Sequence, residues 1–203
     1  MARRSDHSRE ELAAMVIAGA RAIVRDEGWR AVSMRGIAAR IGYAPGSIYN
    51  AVGDIDAVLL RVNAGTLTEL AANLEVVVAR TAPGVAGAVA IADAYVTYVM
   101  GHARLWAALI ERPPPVPAPD WYAVPRAGLV EIVAEAIAPL FPDAVLRRRA
   151  VLSLWASLQG LATLALGGNM AFADEGLDTR EIARSIVRRY LSGRDDDPAI
   201  AEA

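Results

Sequence analysis

Between Gly42 and Asp54 the chain reads GYAPGSIYNAVGD. Ser47 and Asn50 are residue types that hydrogen-bond base edges, and Tyr43 and Tyr49 can reach a phosphate. Ala44, Pro45 and Gly46 are small or compact enough to let a backbone approach a groove. This is the chemistry of recognition. For bond-breaking chemistry the chain offers little. Cysteine is absent, which removes thiol catalysis, disulfides and Cys-ligated zinc, and His7 and His102 are the only imidazoles, too few for a His-based metal site or triad. No activated nucleophile or phosphate-cradling glycine loop stands out, and Glu131 with Glu135 reads as one solvated helix face. Neither an enzyme nor a cofactor or metal ion is expected.

The recognition residues need elements that hold them at a fixed angle, and helix signals surround them. Ser8 followed by Glu11 is a capping box, and Leu12, Val16, Gly19, Ala20, Ile23 and Val24 share one face of a helix that Gly28 can stop. Ser33 can cap a short helix through Arg40, with Met34, Ile37, Ala38 and Ile41 inward, and Gly42 ends it. Pro45 fits the first turn of the next helix, where its missing N–H is no loss; Ile48 and Val52 give that helix a buried side. Gly53 closes it, and Asp54 caps a long helix to about Arg80. Three helices, the last two joined by a glycine turn, make a helix-turn-helix. The outward face of its second helix carries Tyr43, Ala44, Pro45, Gly46, Ser47, Tyr49 and Asn50.

Further helices are expected from the TAPG turn at 81–84 through Tyr95 and Tyr98 to about Gly101 or Arg104, over Leu105 to Ile110, from near Pro125 to about Ala138, from Asp143 to about Leu166, and over Thr179 to Leu191. RPPPVPAPD at 112–120 holds five prolines and reads as a stiff extended connector. The segment 193–203 reads as a frayed acidic tail. No run alternates with period two for long enough to be a strand, so the fold is expected to be all-α, with about nine helices.

Net charge is −2, but residues 1–65 carry nine arginines against seven carboxylates and the remainder twelve against sixteen. The positive balance of the first third favours an anionic partner there. No signal peptide is apparent, since Met1 to Glu11 is polar and charged. Residues 150–173 carry no charge and follow Arg147, Arg148 and Arg149, which raises a membrane span. Ser153, Ser157, Gln159, Thr163 and Asn169 within the run argue against it. A helix apolar all round is also expected at the centre of a soluble bundle or a dimer seam.

The run GWRAVSMRGIAARIGYAPGSIYNAVGDIDAVLLRV, residues 28–62, resembles the TetR/AcrR family of bacterial transcriptional regulators. The resemblance implies a helix-turn-helix DNA-binding domain at 1–53 and a larger helical effector-binding and dimerising domain at 54–192. It implies a dimer on a palindromic double-stranded operator, usually acting as a ligand-responsive repressor, in the cytoplasm. Ser33 and Arg35 then stand where family members touch phosphates, and Tyr43 to Ser47 and Tyr49 match the turn and recognition helix. Ala51 and Val52 replace an aromatic pair common in the family. Ile55, between Asp54 and Asp56, replaces a common lysine, which weakens attraction to phosphate and leaves Arg3, Arg4, Arg9 or Arg35 to compensate.

LWASLQGLATLAL at 154–166 is similar to a Trp-x-x-x-His-Gly element of one group of TetR C-terminal domains, with Gln159 in the His position. The family's usual four-helix seam would use Leu154, Leu158, Leu161, Ala162, Ala165, Ile182, Ile186 and Tyr190. A pocket for a small hydrophobic effector would draw on Tyr95, Tyr98, His102, Trp106, Trp121, Tyr122, Trp155 and Gln159, with Thr97 nearby. Against this stand a membrane-associated interaction protein and a cofactor-free helical enzyme.

Overall fold

Ser8 opens the first helix through both halves of a capping box. Its hydroxyl accepts from the Glu11 N–H at 3.1 Å, and Glu11 Oε2 accepts from the Ser8 N–H at 2.6 Å, satisfying two donors that a helix start otherwise leaves unpaired. The bond from the Ser8 backbone is the main reason the Glu11 carboxyl lies below the ordinary carboxylate range. The computed structural model describes residues 7–168 and 178–193. Among them are nine α-helices: α1 (Arg9–Glu27), α2 (Met34–Ile41), α3 (Pro45–Val52), α4 (Ile55–Val78), α5 (Val85–Gly101), α6 (Ala103–Glu111), α7 (Asp120–Ile137), α8 (Ala144–Leu166) and α9 (Thr179–Ser192). A 3-10 turn, Trp29–Ala31, follows α1, and no strand occurs among the described residues. The fold is all-α, as the periodicity implies. Arg3, Arg4 and the tail beyond Gly193 lie outside the described residues.

One boundary falls elsewhere than its proline suggests. α7 starts at Asp120, with Pro125 inside it, because the Pro119 carbonyl accepts from the N–H groups of Tyr122 and Ala123 at 2.9 and 3.0 Å and so forms the first turn. Tyr122 is buried, which anchors that turn.

The described residues of 7–67 and 102–124 form one compact unit. Its core is Val16, Ala20 and Val24 of α1, Ile37 of α2, Ile48 of α3 and Val58 of α4, joined by Leu105 and Ala108 of α6. Burying the Val, Ile and Leu side chains among these contributes about 1.5–3 kcal/mol each. A Cβ at Gly19 would lie 3.1 Å from Ile41 Cγ2, so glycine there lets α2 close on α1. α6 is clasped at both ends. Arg104 donates to the carbonyls of Arg25 and Asp26 at the end of α1. Asn63 Nδ2 donates to the Ala108 and Arg112 carbonyls at 3.3 and 3.2 Å. Glu111 accepts from Trp29 Nε1 at 3.2 Å and from Arg30 at 2.6 Å. The Arg30 guanidinium sits 4.6 Å from the Trp29 ring centroid and that of Arg112 5.3 Å.

The described residues of 68–101 and 125–193 form the second unit. Within it α5 packs against α8 and α9, and α8 against α9. Arg184 on α9 donates to Asp93 on α5 at 2.7 Å, both side chains about two-thirds shielded from solvent. The Gly84 N–H donates to the Ala136 carbonyl at 2.7 Å, tying the start of α5 to the end of α7. Val151, Leu154, Leu158, Leu161 and Ala162 form the buried side of α8. Leu152 and Trp155 on its other side are 60% and 46% exposed.

Candidate nucleic-acid interface

The glycine at the helix-turn-helix corner is there for its backbone. Gly42 has φ +75°, a left-handed conformation that a side chain disfavours, and Tyr43 N–H then returns to the Ala38 carbonyl at 3.1 Å. Gly42→Ala is expected to cost roughly 1–2 kcal/mol, read from the shift in the urea midpoint. A Cβ there would meet nothing within 4 Å, so an unchanged midpoint would show that the corner tolerates the strain.

From that corner α3 starts with Pro45 at its first position and no side-chain cap from Ala44. Pro45 has no N–H to offer and the Ser47 N–H donates to the Ala44 carbonyl at 3.1 Å, while the helix start carries the positive end of the dipole, which favours an anion. Ile48 and Val52 are buried. Ala44, Pro45, Gly46, Tyr49 and Asn50 are exposed, and Tyr43 and Ser47 half-buried; Tyr49 stands 53% exposed. Ser33 and Arg35 are exposed too. The Ser33 hydroxyl accepts from Gly36 N–H at 3.1 Å as the α2 cap, which leaves its own proton available for donation to a phosphate. All nine residues expected to meet DNA thus lie outside the core.

The acidic residues on either side of Ile55 at the start of α4 have structural work. Asp54 accepts from the Ala57 N–H at 2.8 Å, and Asp56 pairs with Arg112. Asp26 accepts from Arg25 and Arg40 at 3.0 and 3.2 Å, and the Arg25 bond above all holds its carboxyl below the usual range. Asp56 and Arg112 also border an open groove of about 490 Å³, lined further by Leu59, Leu60, Glu111, Pro113 and Pro115. Sequence reading missed a contact at the turn: His7 Nδ1 lies 2.5 Å from the Tyr43 hydroxyl. No periodicity signals a pair 36 residues apart.

The eight residues expected around an effector divide between the units. Tyr95, Tyr98, Trp155 and Gln159 belong to the second; His102, Trp106, Trp121 and Tyr122 belong to the first. In the second unit Tyr95 is buried and donates to Gln159 Oε1 at 2.8 Å, and Gln159 Nε2 donates to Thr163 Oγ1 at 3.1 Å. Burial pushes the Tyr95 hydroxyl well above the ordinary phenol range, offset in part by a hydrogen bond with Trp155. Tyr98 donates to Glu69 at 3.0 Å. In the first unit Trp106 and Tyr122 are buried, His102 is half-buried, and Trp121 lies under the Arg61 guanidinium at 5.1 Å. Thr97 is exposed. Of the eight seam residues, Leu154, Leu158, Leu161 and Ala162 are buried within the chain itself, Ala165, Ile182 and Ile186 are half-buried and Tyr190 is exposed.

Comparison with known proteins adds to this geometry. Residues 16–62 match the family model described as bacterial regulatory proteins of the tetR family. Residues 88–190, half of the chain, match the one described as the tetracyclin repressor-like C-terminal domain. No curated protein sequence matches. Among solved structures, a protein of unknown function from Rhodococcus sp. RHA1 is 24% identical with a TM-score of 0.74, over 94% of this chain and 98% of that one. The regulator FadR from Bacillus subtilis, solved in complex with stearoyl-CoA, is 14% identical with a TM-score of 0.68, over 89% and 98%. A TetR transcriptional regulator from Rhodococcus sp. RHA1 is 16% identical with a TM-score of 0.65, over 91% and 96%. At these identities the likeness carries the fold. With one family model over the helix-turn-helix and the other running from α5 into α9, the chain belongs to the TetR family of bacterial transcriptional regulators, proteins that bind DNA.

Proposed function

We propose that this protein is a ligand-responsive repressor that binds a palindromic operator as a homodimer in the cytoplasm. Residues 1–53 read the DNA, 54–192 bind effector and partner, and 193–203 form a tail. The reading is carried by the surface of α3, where Ile48 and Val52 are buried and Ala44, Pro45, Gly46, Tyr49 and Asn50 are left outside. Placed in a major groove, Ser47 and Asn50 would meet base edges, while Ser33, Arg35, Tyr43 and Tyr49 would meet the phosphate backbone. Two such helices related by a two-fold axis would match two half-sites.

The test is binding of purified protein to a labelled fragment from immediately upstream of its own gene, in a salt series with competitor DNA. Tight binding that survives competitor and weakens with salt is expected. No preference there, and none recovered by selection from random duplexes, would refute sequence-specific binding.

For the effector, a small hydrophobic molecule, the Tyr95–Gln159–Thr163 chain with Trp155 beside it offers polar groups against an apolar helix pack. FadR from Bacillus subtilis shares the fold and is solved with stearoyl-CoA, so long-chain acyl thioesters belong in the first screen. The effector would release DNA by binding better to the conformation with mis-spaced recognition helices, and by no more than that difference in affinity. Tyr95→Phe strips Gln159 and Trp155 of a buried partner and should destabilise the chain by about 1–3 kcal/mol. An unchanged denaturation curve would show that the hydroxyl contributes nothing there.

A membrane-associated interaction protein is the second reading, favoured by α8, which is long and apolar enough to span at 23 residues and a hydropathy of 1.3. Recovery of the full chain in the membrane fraction after a salt wash would support it over the first.

A further inference from the structure

From the groove between the start of α4 and the end of α6 we infer a second ligand site, for a small molecule with one carboxylate on an apolar body. It lies in the first unit, whereas the Tyr95–Gln159–Thr163 chain belongs to the second. The residue that defines it is Arg112. Its backbone is held from both sides: the N–H donates to the Ala108 carbonyl at 3.0 Å, and the carbonyl accepts from Asn63 Nδ2 at 3.2 Å. The guanidinium carbon sits 5.3 Å from the Trp29 ring centroid, and one guanidinium N–H donates to Asp56. The remaining guanidinium donors meet no acceptor among the described residues. A guanidinium fixed in this way is preorganised for a carboxylate, whose two oxygens match its planar fork.

The groove supplies a place for the rest of the molecule. Arg112 and Asp56 share its lining with Ala57, Leu59 and Leu60 of α4 and with Pro113 and Pro115 of the connector. Its volume of about 490 Å³ is that of a small-molecule site, and those apolar side chains suit a hydrocarbon body. Asp56 shows which head group the guanidinium accepts. Its side chain is 67% exposed, so it can turn to water when a ligand carboxylate takes its place. Glu111, also on the lining, accepts from Trp29 Nε1 and Arg30. Arg30 and Arg112 therefore balance Asp56 and Glu111. A singly charged head fits that balance, while a doubly charged phosphate would be repelled more strongly by the two carboxylates.

Isothermal titration calorimetry of the full chain with sodium octanoate tests the site. Saturable binding is expected, with octan-1-ol, which has the same chain and no charge, bound about tenfold more weakly. Arg112→Met, which keeps an unbranched side chain and removes the charge, should weaken octanoate by about tenfold or more. Asp56→Asn should do the opposite and tighten octanoate about two- to fivefold, because the internal competitor for Arg112 is gone. A salt bridge with a purely structural role would give no such gain. Arg80→Met, which removes an exposed guanidinium elsewhere in the chain, should bind as wild type does. Absence of octanoate binding, octan-1-ol bound as tightly as octanoate, or Arg112→Met equal to wild type overturns the inference. Binding at the second unit alone would show as an affinity that neither Arg112→Met nor Asp56→Asn moves, and it overturns the inference too. Should Arg112→Met fail to fold, Asp56→Asn decides: tighter binding supports the site, and unchanged or weaker binding overturns it.

Discussion

Gly46→Glu is expected to fold normally and to lose affinity for duplex DNA by about a hundredfold or more, since a like charge set against a phosphate costs several kcal/mol. The expectation of normal folding has two supports. A Cβ built at Gly46 meets no other atom within 4 Å, and its backbone is not in the left-handed region. It is also the second residue of α3, where a carboxylate interacts favourably with the helix dipole and should stabilise the helix by about 0.3–1 kcal/mol. A loss of DNA binding without a loss of stability therefore reports contact and not damage. Circular dichroism and sedimentation velocity check the fold and the assembly, and titration of a labelled duplex at fixed salt reads the affinity. Gly46→Ala, with the same added Cβ and no charge, should lose far less. If the Glu variant binds DNA as wild type does, α3 does not present this surface to the duplex.

Leu152→Glu is expected to convert the proposed dimer to monomer at concentrations where wild type is dimeric. The expectation follows from which side of α8 the chain itself covers. Leu154, Leu158 and Leu161 are buried within the second unit, so they hold the unit together. Val145, Leu152, Trp155 and Ala156 fall on the opposite side at helical spacing and are exposed. Leu152, at 60% exposure, can become Glu without disturbing the interior of the chain. In a helix-to-helix seam the same carboxylate would be buried without a partner, at a cost of several kcal/mol. That corresponds to a dimer dissociation constant raised by about a hundredfold or more. Operator affinity should fall with it, because two half-sites are then no longer engaged together. Sedimentation equilibrium reads the first effect and duplex titration the second. Leu154→Glu, at a position 4% exposed, should unfold the second unit instead of splitting a dimer. Persistence of the dimer in Leu152→Glu would place any interface on another face.

The local fold was legible because its signals are local. Ser8 with Glu11, Ser33, Gly42 and Asp143 mark helix ends through bonds made within a few residues, and Pro45 marks one through its fixed φ and missing N–H. The spacing of Ile48 and Val52 marks the buried side of a short helix whose other residues are polar or small. The family resemblance over 28–62 draws on the same stretch, and it is there that the sequence and the tertiary structure agree most closely. Pro125 marks the start of α7 only approximately, because the helix begins five residues earlier, at Asp120. The turn that starts α7 is built on the Pro119 carbonyl, inside a connector that composition alone marks as extended.

What the sequence by itself determined is the all-helical class, most helix ends and the outward face of α3, since each follows from propensities and bonds spanning a few residues. Tertiary structure alone decided which side of α8 is covered: with no charge from 150 to 173, that helix has no polar stripe to mark its outer face. It alone separated the aromatic residues between two units, because periodicity says that a residue is buried and not with whom. It alone brought His7 to Tyr43 and Arg112 to Asp56, contacts between residues far apart in the chain whose pairing depends on how whole helices cross.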